Sequence, residues 1–219
     1  MGGHAMLGAR EEIIMKINPR KRFYHGSPVC IEQFNTSFLN KGDQLLGAGF
    51  YFSDDIDDAL SYASVKGNVA TEGLSITPTL HTVKLDIKNP LIAGKEGTLT
   101  LDQVKAIILR LPEDALLSAM LDFGDVESDG LNRVINQAAE IYAGTVEMSY
   151  MLFSLASDMF DDHIDIFNQA VRDALGYDGM VRKHSSGVTH VCAWFPEQIK
   201  VVDRQLAAKV RPNEIPSPD

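Results

Sequence analysis

Apolar and polar positions change rhythm twice along this chain. To about residue 95 the pattern is one of strands and turns. RFYHGS, residues 22–27, reads as a strand entering a tight turn, and GAGFYFS, 47–53, as a glycine-rich turn followed by a strand. LHTVKLDIKNPLIA, 80–93, alternates apolar and polar side chains as a half-buried strand does. Between these two, SDDIDDALSYASVKG predicts a helix. Ile56, Leu60 and Ala63 share one face, Ser53 stands where a cap belongs, and Asp54 and Asp55 suit the positive end of the helix dipole.

From about 99 to 176 the spacing turns helical. TLDQVKAIILRL opens with Thr100 and Gln103 at capping-box distance, and Pro112 is expected to start the next helix at PEDALLSAML. SDGLNRVINQAAEIYAG, VEMSYMLFSLASDMF and DDHIDIFNQAVRDALG follow, the last with Gly176 placed as a C-cap. Four or five successive helices predict a helical insertion or subdomain. The methionines and aromatics of MSYMLFSLASDMF read as core packing. Strands then return: YDGMVRKH and VTHVCAWF flank SSG as a hairpin, and PEQIKVVD closes with a short strand. The core is expected over 20–202, with 99–176 as the insertion and with 1–19 and 204–219 as flanks.

Composition narrows the function classes. The 219 residues are 45% hydrophobic and 23% charged, an ordinary globular balance. Thirty acidic residues against 20 basic ones give a formal charge of −10. Nucleic-acid binding needs clustered Lys and Arg, and only RKRF at 20–23 and VRK at 181–183 approach that. Nucleic acid is therefore not an expected partner. Cys30 and Cys192 stand too far apart for a metal motif and are too few for a disulfide scaffold, which suits a reducing compartment. No apolar run reaches the roughly 20 residues of a membrane span, and the start shows no secretory core, so a cytoplasmic location is expected.

Singly, the chemistry-bearing residues have plain readings. His25 before Gly-Ser suits a histidine bonded to a nearby carbonyl, Tyr62 a core position, and Trp194 a core strand. His81, His163 and His184 have no metal-ligand spacing, His184 being the one that falls in the hairpin, where it could line the cleft. Their order is more informative. FYHGS, GAGFYFSDD, DALSYA, VKLDIKNPLI, LGYDGMV and WFPEQIK, in that succession over 22–93 and 174–202, resemble the ADP-ribosyltransferase superfamily of the His-Tyr-Glu kind, closest to the transferase domains of phage and mobile-element polyvalent proteins. The resemblance does not extend to the helical zone.

It implies an α+β fold with a split β-sandwich core, and NAD as the substrate. By resemblance, His25 would bond a ribose hydroxyl, Gly26 would offer its backbone to the nicotinamide carboxamide, and Ser27 would reach a ribose hydroxyl. Tyr51 would stack on the nicotinamide, Tyr62 would close the other side of the slot, and Gly47 and Gly49 would let the chain pass close to the ligand. His25 and Tyr51 are thus expected to line one groove. Where that class carries a glutamate, this chain has His190, an imidazole able to take a proton but unable to offer a negative charge to an oxocarbenium-like ribose. His25, Tyr51 and His190 are the expected catalytic residues. Gln198, Glu197 and Asp178 are further candidates, Gln198 on the cofactor side; no metal is expected. The implied reaction is mono-ADP-ribosylation of a protein acceptor by a phage or bacterial effector. The alternatives are an impaired NAD- or partner-binding module and an NAD glycohydrolase. A tRNA 2′-phosphotransferase shares this general fold, but the acidic charge argues against RNA.

Overall fold

In a computed structural model that describes residues 17–36, 49–63, 76–114, 116–117, 130–144, 146–160 and 163–210, the extended stretches become seven strands. They are β1 (Phe23–Ser27), β2 (Phe50–Ser53), β3 (Thr79–Leu85), β4 (Pro90–Ile92), β5 (Gly179–Lys183), β6 (Thr189–Ala193) and β7 (Ile199–Leu206). The α-helices among the described residues are α1 (Ile56–Ala63), α2 (Leu101–Ile108), α3 (Gly130–Tyr142), α4 (Met148–Met159) and α5 (Ile164–Leu175). Gly47, most of the helix expected after Pro112, and the two chain ends lie outside the described residues.

The strands form one sheet in the order β4-β5-β6-β2-β1-β3-β7, with β4 parallel to β5 and every other pair antiparallel. The join between β2 and β1 is unlike the rest. Those strands share a single registered pair, Tyr24 with Ser53, whereas β1 and β3 are in register over five pairs from Phe23–Val83 to Ser27–Thr79. The sheet therefore consists of a four-strand half and a three-strand half meeting at one seam, an α+β arrangement consistent with an ADP-ribosyltransferase-like core.

Local chemistry accounts for most element boundaries. Thr100 and Gln103 form the expected capping box: Gln103 N–H donates to Thr100 Oγ1 at 3.2 Å, and Thr100 N–H to Gln103 Oε1 at 2.9 Å. Gly176 ends α5 in the left-handed region, φ 80°, as a C-cap glycine should. The cap of α1 is not Ser53 but Asp55, whose Oδ1 accepts from Asp58 N–H at 2.8 Å. The reason is that Ser53 is already committed to β2 and Asp54 to a bond with Thr189. The stretch expected as one half-buried strand over 80–93 breaks into β3 and β4, and β3 is buried along nearly its whole length. It lies between β1 and β7, with α1 packed on one side, so it has no solvent face to alternate against. The last strand runs three residues past Asp203, to Leu206.

The helices between β4 and β5 share the sheet's core rather than forming a separate one. Leu85 and Leu91 of the sheet belong to one apolar cluster with Ile107, Leu155, Phe160 and Phe167 of the helical zone. Met148, Met151 and Met159 are buried in it, as the packing reading of that segment expects. Polar ties reinforce the seat. Asn168 Nδ2 donates to the Trp194 carbonyl at 3.3 Å, and the Arg172 guanidinium lies 4.0 Å over the Phe195 ring.

Candidate active site

His25 projects from the middle of β1, at the place where β1 leaves β2. Its ring sits among Phe34, Phe52 and His81, at centroid distances of 5.3, 5.6 and 5.9 Å. Nδ1 lies 2.7 Å from the Tyr51 carbonyl oxygen. A carbonyl can only accept, so Nδ1 carries the proton and Nε2 is left as the acceptor nitrogen. Burial lowers the pKa of this imidazole, against the opposing pull of the Tyr51 carbonyl, and keeps the ring neutral. His25 is therefore bonded to a nearby carbonyl and also offers a lone pair suited to a hydroxyl.

The second ring of the expected pair leaves the sheet on the other side. Side chains alternate along a strand, and it is Phe52 that faces His25, so the Tyr51 phenol points the opposite way. His25 and Tyr51 meet through one main-chain oxygen, not ring to ring across a shared groove. Tyr51 instead shares its face with Ser53, and with Cys192 and His190, which pair with Tyr51 and Ser53 on β6. Helix α1 covers this same face. A Cβ on Gly26 would stand 1.9 Å from the Ala59 carbonyl oxygen, so the absent side chain admits a helix rather than a ligand. Gly49 has a similar reason: a Cβ there would meet Cys192 Sγ at 2.5 Å and the Ala193 carbonyl oxygen at 2.6 Å. Tyr62, on α1, is 59% exposed and not the core residue its helical spacing suggests. Desolvation and the neighbouring Asp58 raise its phenol pKa.

His190 is the hub of a polar cluster on that face. Its Nε2 lies 2.8 Å from Asp58 Oδ2 on α1, and its Nδ1 lies 3.0 Å from Nε2 of His184. Next to it, Thr189 N–H donates to Asp54 Oδ1 at 2.7 Å, and Lys21 Nζ holds Asp54 Oδ2 at 2.8 Å. Burial pushes the Asp54 pKa up, but the bonds from Lys21 and Thr189 outweigh it and leave the carboxyl below its ordinary value. Asp58 thus sets a carboxylate at hydrogen-bond distance from His190. Reading the sequence does not single out Asp58, because it lies 132 residues from His190 and looks like one more acid in a helix's first turn. His184 was legible only as a hairpin histidine.

Other candidates are committed to the fold. Both ends of the Gln198 amide are used: Oε1 accepts from Phe195 N–H at 3.0 Å, and Nε2 donates to the Asp178 carbonyl at 2.7 Å. The Asp178 carboxylate receives the N–H groups of Lys88 and Asn89, both at 2.8 Å, and so clamps the β3–β4 turn. Glu197 is exposed. Ser27 is buried, and its Oγ accepts from Val29 N–H at 3.2 Å. His81 is fully buried: Ile31 N–H donates to its Nε2 at 2.9 Å, and its Nδ1 faces the His25 carbonyl at 3.2 Å. It is a structural histidine that pins the segment after β1. His163 precedes α5 as its N-terminal flanking residue. Cys30 is exposed and Cys192 buried, and burial raises the Cys192 thiol pKa against the opposing Trp194 side chain. Among the described residues no group of three His, Cys, Asp or Glu side chains is arranged to hold a metal ion. Nor is any helix among them long and apolar enough to cross a membrane.

A family model described as "ADP-ribosyltransferase in polyvalent proteins" matches residues 19–208. Neither a curated protein nor a solved structure matches the chain significantly.

Proposed function

The chain belongs to the ADP-ribosyltransferases of polyvalent proteins, and we propose that it is an NAD-dependent mono-ADP-ribosyltransferase that modifies a macromolecule, most simply a protein. The observation that carries this reading is the seam between β1 and β2, which have only Tyr24 and Ser53 in register. The residues this reading uses lie beside it, His25 on one face of the sheet and Tyr51 and His190 on the face that α1 covers.

In this reading NAD is the substrate and straddles the seam. His25 Nε2 accepts from a ribose hydroxyl. Tyr51 stacks on the nicotinamide, with Tyr62 of α1 on the same side of the sheet. The bond from nicotinamide to ribose breaks with its electron pair leaving on the pyridine nitrogen, and the positive ribose is captured by an acceptor oxygen or nitrogen. Orientation and charge stabilisation supply the catalysis. The Asp58 carboxylate, bonded through His190, brings negative charge near a position where β6 itself has none.

One observation favours a second reading. Both nitrogens of His190 are occupied, by Asp58 and by His184, so this residue alone does not reproduce a glutamate. The fold would then bind NAD, or a partner, without transferring ADP-ribose. Incubation of the purified protein with adenylate-labelled NAD and host lysate separates the outcomes. Label on a macromolecule with release of nicotinamide supports the transferase. Free ADP-ribose as the sole product indicates a glycohydrolase, and NAD binding without nicotinamide release indicates the binding module.

A further inference from the structure

We infer that His184, not His190, presents the proton-accepting nitrogen to the acceptor, with His190 and Asp58 behind it as a two-step relay. This rests on the transferase reading above.

Tautomers fix the roles of the two rings. Asp58 Oδ2 lies 2.8 Å from His190 Nε2, and an ionised carboxylate accepts only, so Nε2 carries the His190 proton. A neutral His190 then has a lone pair on Nδ1. His184 Nε2 lies 3.0 Å away and must be the donor there. That assigns the His184 proton to Nε2 and leaves the lone pair on His184 Nδ1. The two rings cross at 65° with centroids 4.4 Å apart, a geometry that aims the edge of one ring at the other. His190 has no nitrogen left to meet an acceptor. His184, at the hairpin turn and partly exposed, has one.

The step balances. The acceptor O–H or N–H gives its proton to His184 Nδ1 as its lone pair closes on the ribose carbon, and nicotinamide departs neutral with the electrons of the broken bond. The new imidazolium at His184 faces His190 Nδ1, and Asp58 compensates its charge through the His190 ring. Burial, His190 and Arg182 all lower the His184 pKa, with Asp58 acting in the opposite direction, so the ring is unprotonated and able to accept near neutrality. The ionisable groups around the pair are Asp58 and Tyr62 of α1, Arg182 of β5 opposite His190, and Asp54 with Lys21 beside Thr189. Asp58 and His190 are positioning residues here. His184 is the residue that touches the reacting atoms.

The test uses the full chain with His184→Gln and Asp58→Asn. His184→Gln should lower kcat for transfer roughly a hundredfold or more while KM for NAD stays within about twofold. Asp58→Asn should move the acid limb of the kcat profile to lower pH, because losing the carboxylate makes the His184 imidazolium easier to deprotonate. Ring-proton NMR titration of the unliganded protein gives a readout independent of NAD chemistry. In the wild type the His184 ring resonances should follow a titration, and Asp58→Asn should lower its apparent value, because Asp58 is the group that raises it. Unchanged kcat in His184→Gln, or a His184 titration indifferent to Asp58→Asn, would overturn the relay. A wild type that releases no nicotinamide, while its His184 titration still responds to Asp58→Asn, overturns the proposed function and leaves the hydrogen-bonded chain intact.

Discussion

His25 and His81 are neighbours on paired strands, yet their chemistry differs because of what each nitrogen meets. His81 has both nitrogens engaged by backbone groups, and protonating it would turn a proton on Nε2 toward the Ile31 N–H. Burial accordingly lowers its pKa to about 4, helped by His25 and Arg204 and opposed by the His25 carbonyl. Because the unfolded chain binds this proton more readily than the folded one, the contribution is full above the unfolded value near 6.5 and is lost as pH falls toward 4. Urea unfolding should therefore show stability falling between pH 6.5 and 4, by up to about 3 kcal/mol from this residue. His81→Gln should flatten that slope. His25, also lowered, adds to the same trend. Its proposed role toward NAD is tested separately: His25→Ala should cut kcat/KM for NAD about tenfold to a hundredfold, the cost of leaving a bonding group unpaired, about 1–3 kcal/mol.

At the level of elements, the capping box and the close packing of α1 make opposite kinds of prediction. Thr100→Ala removes one acceptor for an exposed helix end and should cost about 1 kcal/mol by chemical denaturation, with little effect on NAD turnover. Gly26→Ala places a methyl group against the α1 backbone, which cannot rotate away. It should destabilise by about 1–3 kcal/mol or more and displace α1 with Asp58 and Tyr62, so activity falls together with melting temperature. These cases also mark what a sequence can disclose. The Thr100–Gln103 cap, the Gly176 stop and the β5–β6 hairpin are written within a few neighbouring residues, and each was legible. Ser53 as a cap was not, because a strand thirteen tens of residues away in sequence claims its neighbour Asp54. The order of motifs brought out His25, Tyr51 and His190. It could not show on which side of the sheet each ring emerges, since that depends on a register set between distant strands. Nor could it tell that the glycines serve helix and strand packing, or that Gln198 and Asp178 are spent on each other.

On the scale of the whole molecule, the helical zone between β4 and β5 is part of the core by packing. Leu155, Phe160 and Phe167 cannot be removed without exposing sheet residues such as Leu85 and Leu91. Excising 99–176 should consequently yield an insoluble or molten product, checked by the loss of near-ultraviolet circular dichroism. The sheet's single-pair join has a mechanical corollary. Each half is stitched internally by many rungs, whereas β1 and β2 share a single registered pair, Tyr24 against Ser53, with the His25–Tyr51 bond beside it, so the protein should flex there like a book along its spine. Deuterium uptake would register this as faster labelling of the amides around Gly26 and Tyr51 than of those in β3 or β6, and as slowing when NAD wedges the covers at one angle.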